Sequence, residues 1–193
     1  VAGLVLAGGR STRFGSEKAL AIWRGRPLLM GAAMRMSAAC SPVAISARPG
    51  SGTEALALAQ GLAVLHDAPG DPDGPLAGVK AGLSFAVRAG RAGLAVLPCD
   101  APLVPDDLVE RLIQAAGAGA AVAETVEGWQ PLCAVWPASA LPQIEAALVR
   151  GVHPPIWRLL QALGAARVWC EPPEAFANLN APADLAAAAA RLG

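Results

Sequence analysis

Of fifteen basic residues only Lys18 and Lys80 are lysine, and Lys18 closes the segment Leu6-Ala7-Gly8-Gly9-Arg10-Ser11-Thr12-Arg13-Phe14-Gly15-Ser16-Glu17-Lys18. Glycines at this place let backbone N–H groups approach a phosphate chain, while Arg13 supplies a fork of donors and Lys18 a compact charge. The segment is suited to a nucleoside triphosphate. It is not a Walker A loop, because Ser16 and Glu17 stand between Gly15 and Lys18. Nor is it a dinucleotide fingerprint, because Gly8 and Gly9 are adjacent.

Two carboxylates follow apolar runs. Asp67 comes directly after Leu62-Ala63-Val64-Leu65-His66 and opens a Gly/Pro/Asp-rich loop reaching Pro75. Asp100 ends Leu94-Ala95-Val96-Leu97-Pro98-Cys99 and is followed by Ala101-Pro102. A side chain at the carboxyl end of a strand is where ligands bind in open α/β sheets, so Asp67 is a candidate ligand contact. Magnesium is usually held by one or two carboxylates plus substrate phosphates, which makes Asp100 the candidate metal ligand. Cys99 has no His or basic neighbour to activate it and is expected to be a small buried residue. Lys80 is expected to be a solvated helix residue, and His66 a strand-end residue.

The elements that must carry these residues can be read from periodicity. Strands are expected at Ala2 to Leu6, Val43 to Ser46, Leu62 to Leu65 and Leu94 to Leu97. Helices are expected at Pro27 to Ala39, Gly52 to Gln60, Leu76 to Arg88 and Pro105 to Ala116. Such alternation implies an α/β protein with a mostly parallel sheet covered by helices on both faces, a three-layer arrangement. Beyond Ala120 the rhythm loosens. Strands at Ala120 to Glu124, Leu132 to Trp136 and Ala166 to Cys170, with helices near Ser139 to Arg150, Pro155 to Leu163 and Pro182 to Leu192, imply a mixed sheet with an antiparallel element. With no internal repeat and no dividing linker, residues 1–193 read as a single domain.

Composition narrows the function classes. Fifteen basic residues balance fifteen acidic ones, without a block of like charge, so neither nucleic acid nor an anionic membrane is an expected partner. No uninterrupted apolar stretch is long enough to span a membrane, and the opening Val1-Ala2-Gly3-Leu4-Val5-Leu6 reads as a strand, not a secretory signal. Cys40, Cys99, Cys133 and Cys170 form no C-x-x-C pair, so reduced, buried thiols in a cytoplasmic protein are expected.

Together the three segments resemble the molybdenum cofactor guanylyltransferase family: L-A-G-G-x-x-x-R-F/M-G-x-x-K, then D…G-P-L-A-G, then C-D-x-P. Further matches are Gln130-Pro131-Leu132-Cys133-Ala134-Val135-Trp136 and Phe176-Ala177-Asn178-Leu179-Asn180-Ala181-Pro182-Ala183-Asp184-Leu185, so the resemblance covers nearly the whole chain. It implies a nucleotidyltransferase fold and a magnesium-dependent transfer of GMP from GTP to the terminal phosphate of molybdopterin, with release of pyrophosphate. Leu6, Ala7, Gly8 and Gly9 would bind GTP, Lys18 and Arg13 its phosphates, Asp67 the nucleotide and Asp100 both nucleotide and magnesium. Asn178 and Asn180 would line the pterin side or, alternatively, order or cap the loop they sit in. Transient contacts with molybdenum-insertion proteins or apo-molybdoenzymes are implied as well. Cytidylyltransferase relatives usually carry L-A-A-G in the first motif, so Gly8-Gly9 favours the guanine-using branch. The family usually has an Asn after its second strand, where Ser46-Ala47-Arg48 has none, and a Thr where Ala181 stands. Other readings are transfer of CMP to molybdopterin, transfer to a sugar 1-phosphate, and, from a different class, a non-catalytic nucleotide-binding or cofactor-carrier protein.

Overall fold

The computed structural model describes residues 1–8, 17–149, 153–179 and 184. The expected helix from Pro182 to Leu192 lies outside these residues except for Asp184, as do Arg150 and Ala181. In chain order the elements are β1 (Ala2–Leu6), a 3₁₀ turn (Lys18–Leu20), β2 (Ile22–Trp23), β3 (Arg26–Pro27), α1 (Leu28–Ala39), β4 (Val43–Ser46), α2 (Gly52–Ala59), β5 (Ala63–Leu65), α3 (Pro75–Arg88) and β6 (Gly93–Pro98). The second half adds α4 (Leu108–Ala116), β7 (Ala121–Thr125), β8 (Gly128–Pro137), a 3₁₀ turn (Ala138–Ala140), α5 (Leu141–Val149), α6 (Ile156–Ala162), β9 (Ala166–Trp169) and a 3₁₀ turn (Pro173–Phe176).

Seven strands form one sheet in the order β5-β4-β1-β6-β8-β7-β9, and only β8 runs against its neighbours. Period-two alternation divides the core between the two faces. Leu4, Leu94, Val96 and Val122 point to a cluster completed by Leu76, Val79 and Leu83 of α3, Ile144 of α5 and Leu160 of α6. Val5, Ala95, Leu97, Ala121 and Ala123 point the other way, onto Leu29 and Met36 of α1, Ala57 of α2 and Leu108 and Leu112 of α4. The result is the three-layer α/β architecture. All six residues of β6 are buried, as expected of a strand with helices on both sides.

The differences from the sequence reading have local causes. The β2–β3 hairpin was not anticipated, because its two-residue turn is Arg24-Gly25, with φ of 48° and 78°, where Asn-Gly or Asp-Gly would have given the stronger signal. β8 begins four residues before Leu132 despite Pro131. The register against β7 jumps from Ala134 to Gln130, so Pro131 falls where the ladder does not need its missing N–H. α4 starts at Leu108, since Pro105 to Asp107 form the turn that leads into it.

Candidate active site

The chain visits β1, β4 and β5 in one direction across the sheet and then returns to place β6 on the other side of β1. A reversal of this kind opens a crevice at the carboxyl ends of the two strands it separates, here β1 and β6. At that edge the Ala7 N–H donates to the Ser46 carbonyl at 3.0 Å and the Cys99 N–H to the Leu6 carbonyl at 3.1 Å. The start of the glycine segment is therefore stitched to both neighbouring strands.

Lys18 and Asp100 meet in this crevice. Lys18 Nζ donates to Asp100 Oδ2 at 2.7 Å across 82 residues of sequence, and the two side chains are only 11 % and 21 % exposed. Shielding from water strengthens the attraction between them and makes either charge costly alone. The tail motif arrives at the same place, because the Leu179 N–H donates to the Asp100 carbonyl at 3.0 Å. Asn178, one residue earlier, is exposed beside it. Gly9, Arg13 and Asn180 lie outside the described residues.

Asp67 stands past the end of β5, three strand intervals from β6, which at ~4.8 Å per interval is about 14 Å. That separation suits the two ends of an extended nucleotide better than one metal ion. Asp67 retains solvent access, yet partial desolvation by its loop, and then the charges of Asp71 and Asp73, hold its carboxyl above the usual aspartate range. Lys80, expected in solvent, instead forms a largely shielded salt bridge with Asp71. The loop folds back on the second turn of its own helix and places the carboxylate over the ammonium.

His153 was not singled out by its sequence, since it acts 77 residues away: its Nε2 accepts from the Leu76 N–H at 3.1 Å at the start of α3. Gly74 has φ of 150°, and a Cβ there would lie 2.3 Å from His153 Nε2, so this member of the G-P-L-A-G motif must lack a side chain. Glu17 likewise carries no local signal, since its partners Gly52 and Thr53 lie 35 and 36 residues away. His66 Nε2 sits 2.7 Å from Glu54 Oε1 on the surface.

No group of three or more His, Cys, Asp or Glu side chains among the described residues could hold a metal. A cation at Asp100 would thus take most of its ligands from substrate and water, which suits magnesium and not an all-protein cage. The four cysteines are free and buried. Burial is the main reason that the Cys99 thiol is pushed up to about 12, with the Asp100 charge adding to it. Almost no thiolate exists at neutral pH. Cys99→Ala should accordingly keep turnover within about threefold of wild type and lose only about 1 kcal/mol of stability. Pyrophosphate release and thermal melts check this, and a turnover-dead Cys99→Ala with an intact fold would contradict it.

A separate groove of about 460 Å³ lies along the outer side of α1, lined by Trp23, Arg24, Arg26, Met34 and Arg35 among others. Neither Lys18, Asp67 nor Asp100 contributes to it.

Residues 3–168 match the family described as MobA-like NTP transferase domain. The chain is 41% identical over 187 residues to the molybdenum cofactor guanylyltransferase of Cereibacter sphaeroides, covering 96% of this chain and 94% of that one. It is 40% identical to the enzyme of the same name from Rhodobacter capsulatus, covering 100% and 96%. The crystal structure of molybdopterin-guanine dinucleotide biosynthesis protein A from Archaeoglobus fulgidus superposes with a TM-score of 0.78 at 23% identity, covering 100% of this chain and 98% of that one, a likeness of fold.

Proposed function

This chain belongs to the MobA-like NTP transferase family, with the molybdenum cofactor guanylyltransferases among its relatives, and from that premise we propose that it transfers the GMP unit of GTP to the terminal phosphate of molybdopterin, releasing pyrophosphate. The observation that carries the reading is the Lys18–Asp100 pair at 2.7 Å in the crevice between β1 and β6. A molybdopterin phosphate oxygen attacks the α-phosphorus of GTP, a new P–O bond forms, and the bond from the α-phosphorus to the bridging oxygen breaks. Pyrophosphate departs with that electron pair. Since the nucleophile is already an anion, no general base is needed, and the site must supply alignment and neutralisation of charge.

Lys18 and Arg13 are assigned the neutralisation of the phosphates, and the segment Leu6, Ala7, Gly8 and Gly9 the binding of the nucleotide. Asp100 holds magnesium, which when bound neutralises charge on the phosphate oxygens. Lys18, 2.7 Å from the Asp100 carboxylate, brings its ammonium to the place where the nucleotide phosphates are proposed to bind. Asn178 and Asn180 are assigned to the pterin, an assignment supported for Asn178 by the neighbouring Leu179–Asp100 backbone bond.

Asp67 selects the base. Guanine presents N1–H and N2–H donors along one edge, and a carboxylate accepts both, whereas cytosine offers acceptors on the matching edge. Protonation removes that double acceptor. Because the Asp67 pKa is raised, KM for GTP should begin to climb, as pH falls, at a higher pH than an ordinary aspartate would dictate. Asp67→Asn should abolish this acid limb and raise KM for GTP by about 10- to 100-fold, the loss of a charged hydrogen bond. Steady-state kinetics with GTP and CTP across pH provide the check; equal kcat/KM for the two nucleotides would contradict base selection by Asp67, and a preference for CTP would favour a cytidylyl reading.

Residues 1–193 act in this proposal as one catalytic unit. Four unbridged thiols support a cytoplasmic setting, and among the described residues no helix is long and apolar enough to cross a membrane. Handover of the product through transient contact with molybdenum-insertion proteins or apo-molybdoenzymes belongs to the same proposal.

A further inference from the structure

Glu17, immediately before Lys18, turns its carboxylate away from the phosphate crevice. Oε1 accepts from the Gly52 N–H at 2.7 Å, and Oε2 accepts from the Thr53 N–H at 2.8 Å and the Thr53 hydroxyl at 2.5 Å. Those amides belong to the first turn of α2, where N–H groups have no carbonyl partner within the helix. The helix also has a local cap, since Ser51 Oγ accepts from the Glu54 N–H at 3.1 Å. Glu17 adds a second anchor from 35 residues away. With three of its roughly four acceptor sites engaged, this carboxylate has little left for a cation or a substrate.

The surrounding packing is close. A Cβ on Gly52 would lie 2.9 Å from Leu20 Cδ1 and 3.4 Å from Glu17 Oε1, and Thr53 is buried. Residues 17–20 are thus docked on α2 at their start, while Lys18 reaches across β1 to Asp100 beyond β6. Consecutive side chains are fastened on opposite sides of the crevice. We propose that Glu17 is a positioning residue: its attachment to the start of α2 fixes the backbone from which Lys18 reaches Asp100 and the phosphates of GTP. This inference rests on the role given to Lys18 above.

The Thr53 hydroxyl, working against partial desolvation and helped by the Thr53 and Gly52 amides and by Arg48, holds the Glu17 carboxyl below the ordinary glutamate range. Its contribution to stability is full above the ordinary value and is lost only as pH falls through the lowered one. The anchor therefore persists throughout the neutral range.

The test uses the fact that Lys18 and Lys80 are the only lysines. Sparse acetylation with acetic anhydride, read by mass spectrometry, gives a Lys18-to-Lys80 labelling ratio, and the same proteins are assayed for kcat and KM with GTP, magnesium and molybdopterin. Glu17→Ala should raise the ratio about fivefold or more and lower kcat about tenfold, because a small misplacement of a charge that acts in the transition state is costly. Glu17→Gln, whose single carbonyl oxygen can accept on one side only while its NH2 group faces the N–H on the other, loses the charge and part of the contacts and should fall between. Ser51→Ala removes a cap from the same helix without touching Glu17, so it should lower the melting temperature yet leave both ratio and kcat unchanged. If Glu17→Ala keeps the wild-type ratio, or Ser51→Ala matches Glu17→Ala in both readouts, Glu17 is only a helix cap and the inference is overturned. A wild-type protein without GTP turnover would instead sink the guanylyl reading, while the labelling ratio would still decide the role of Glu17.

Discussion

Asp100→Asn is expected to lower GTP turnover by about a thousandfold, equivalent to roughly 4 kcal/mol of transition-state stabilisation, while the protein stays folded. The carboxylate lies just past a fully buried strand, so its backbone is fixed by packing that the substitution does not touch. Asparagine keeps the shape and removes the charge that Lys18 meets and that the proposed magnesium would require. Some stability will be lost as well, because Lys18 is 11 % exposed and would face an amide instead of a carboxylate. Circular dichroism and melting curves separate the two effects. Normal pyrophosphate release from well-folded Asp100→Asn would remove Asp100 from the chemistry.

Lys18→Ala should cost about a hundredfold in turnover, with a raised KM for GTP, since it removes one electrostatic donor while Asp100 remains. Lys18→Arg should not restore the rate: the guanidinium is a planar fork, whereas this shielded site is matched to a compact charge on a flexible stem. The two losses should not add. Lys18 and Asp100 are in direct contact, and residues that act as a unit give a double variant little worse than its worse single. A Lys18→Ala/Asp100→Asn protein whose loss equals the product of the two single losses would mean that the ion pair has no shared catalytic role.

Much of the fold was legible because each strand–helix unit carries its own signal. β1, β4 and β6 are short apolar runs, and the helices between them show the longer period, with Pro27 and Pro75 at their starts. Lys18 and Asp100 were legible as chemistry through their types and their places after strands. Their contact followed only from the strand order, which moves β6 across β1. What escaped was held by side-chain bonds between loops and helices. Glu17 at the start of α2, His153 on the Leu76 amide and Lys80 on Asp71 depend on how loops return to helix ends, and no local pattern reports that. The hairpin at Arg24-Gly25 was hidden differently, since its strands are two residues long and show no period.

The most direct measurement incubates the protein with GTP, magnesium and molybdopterin and determines the product mass together with pyrophosphate released. The site described predicts molybdopterin heavier by one guanylyl unit and one pyrophosphate per molecule of product. Unchanged molybdopterin, or GTP consumed to GDP and phosphate instead, would contradict it.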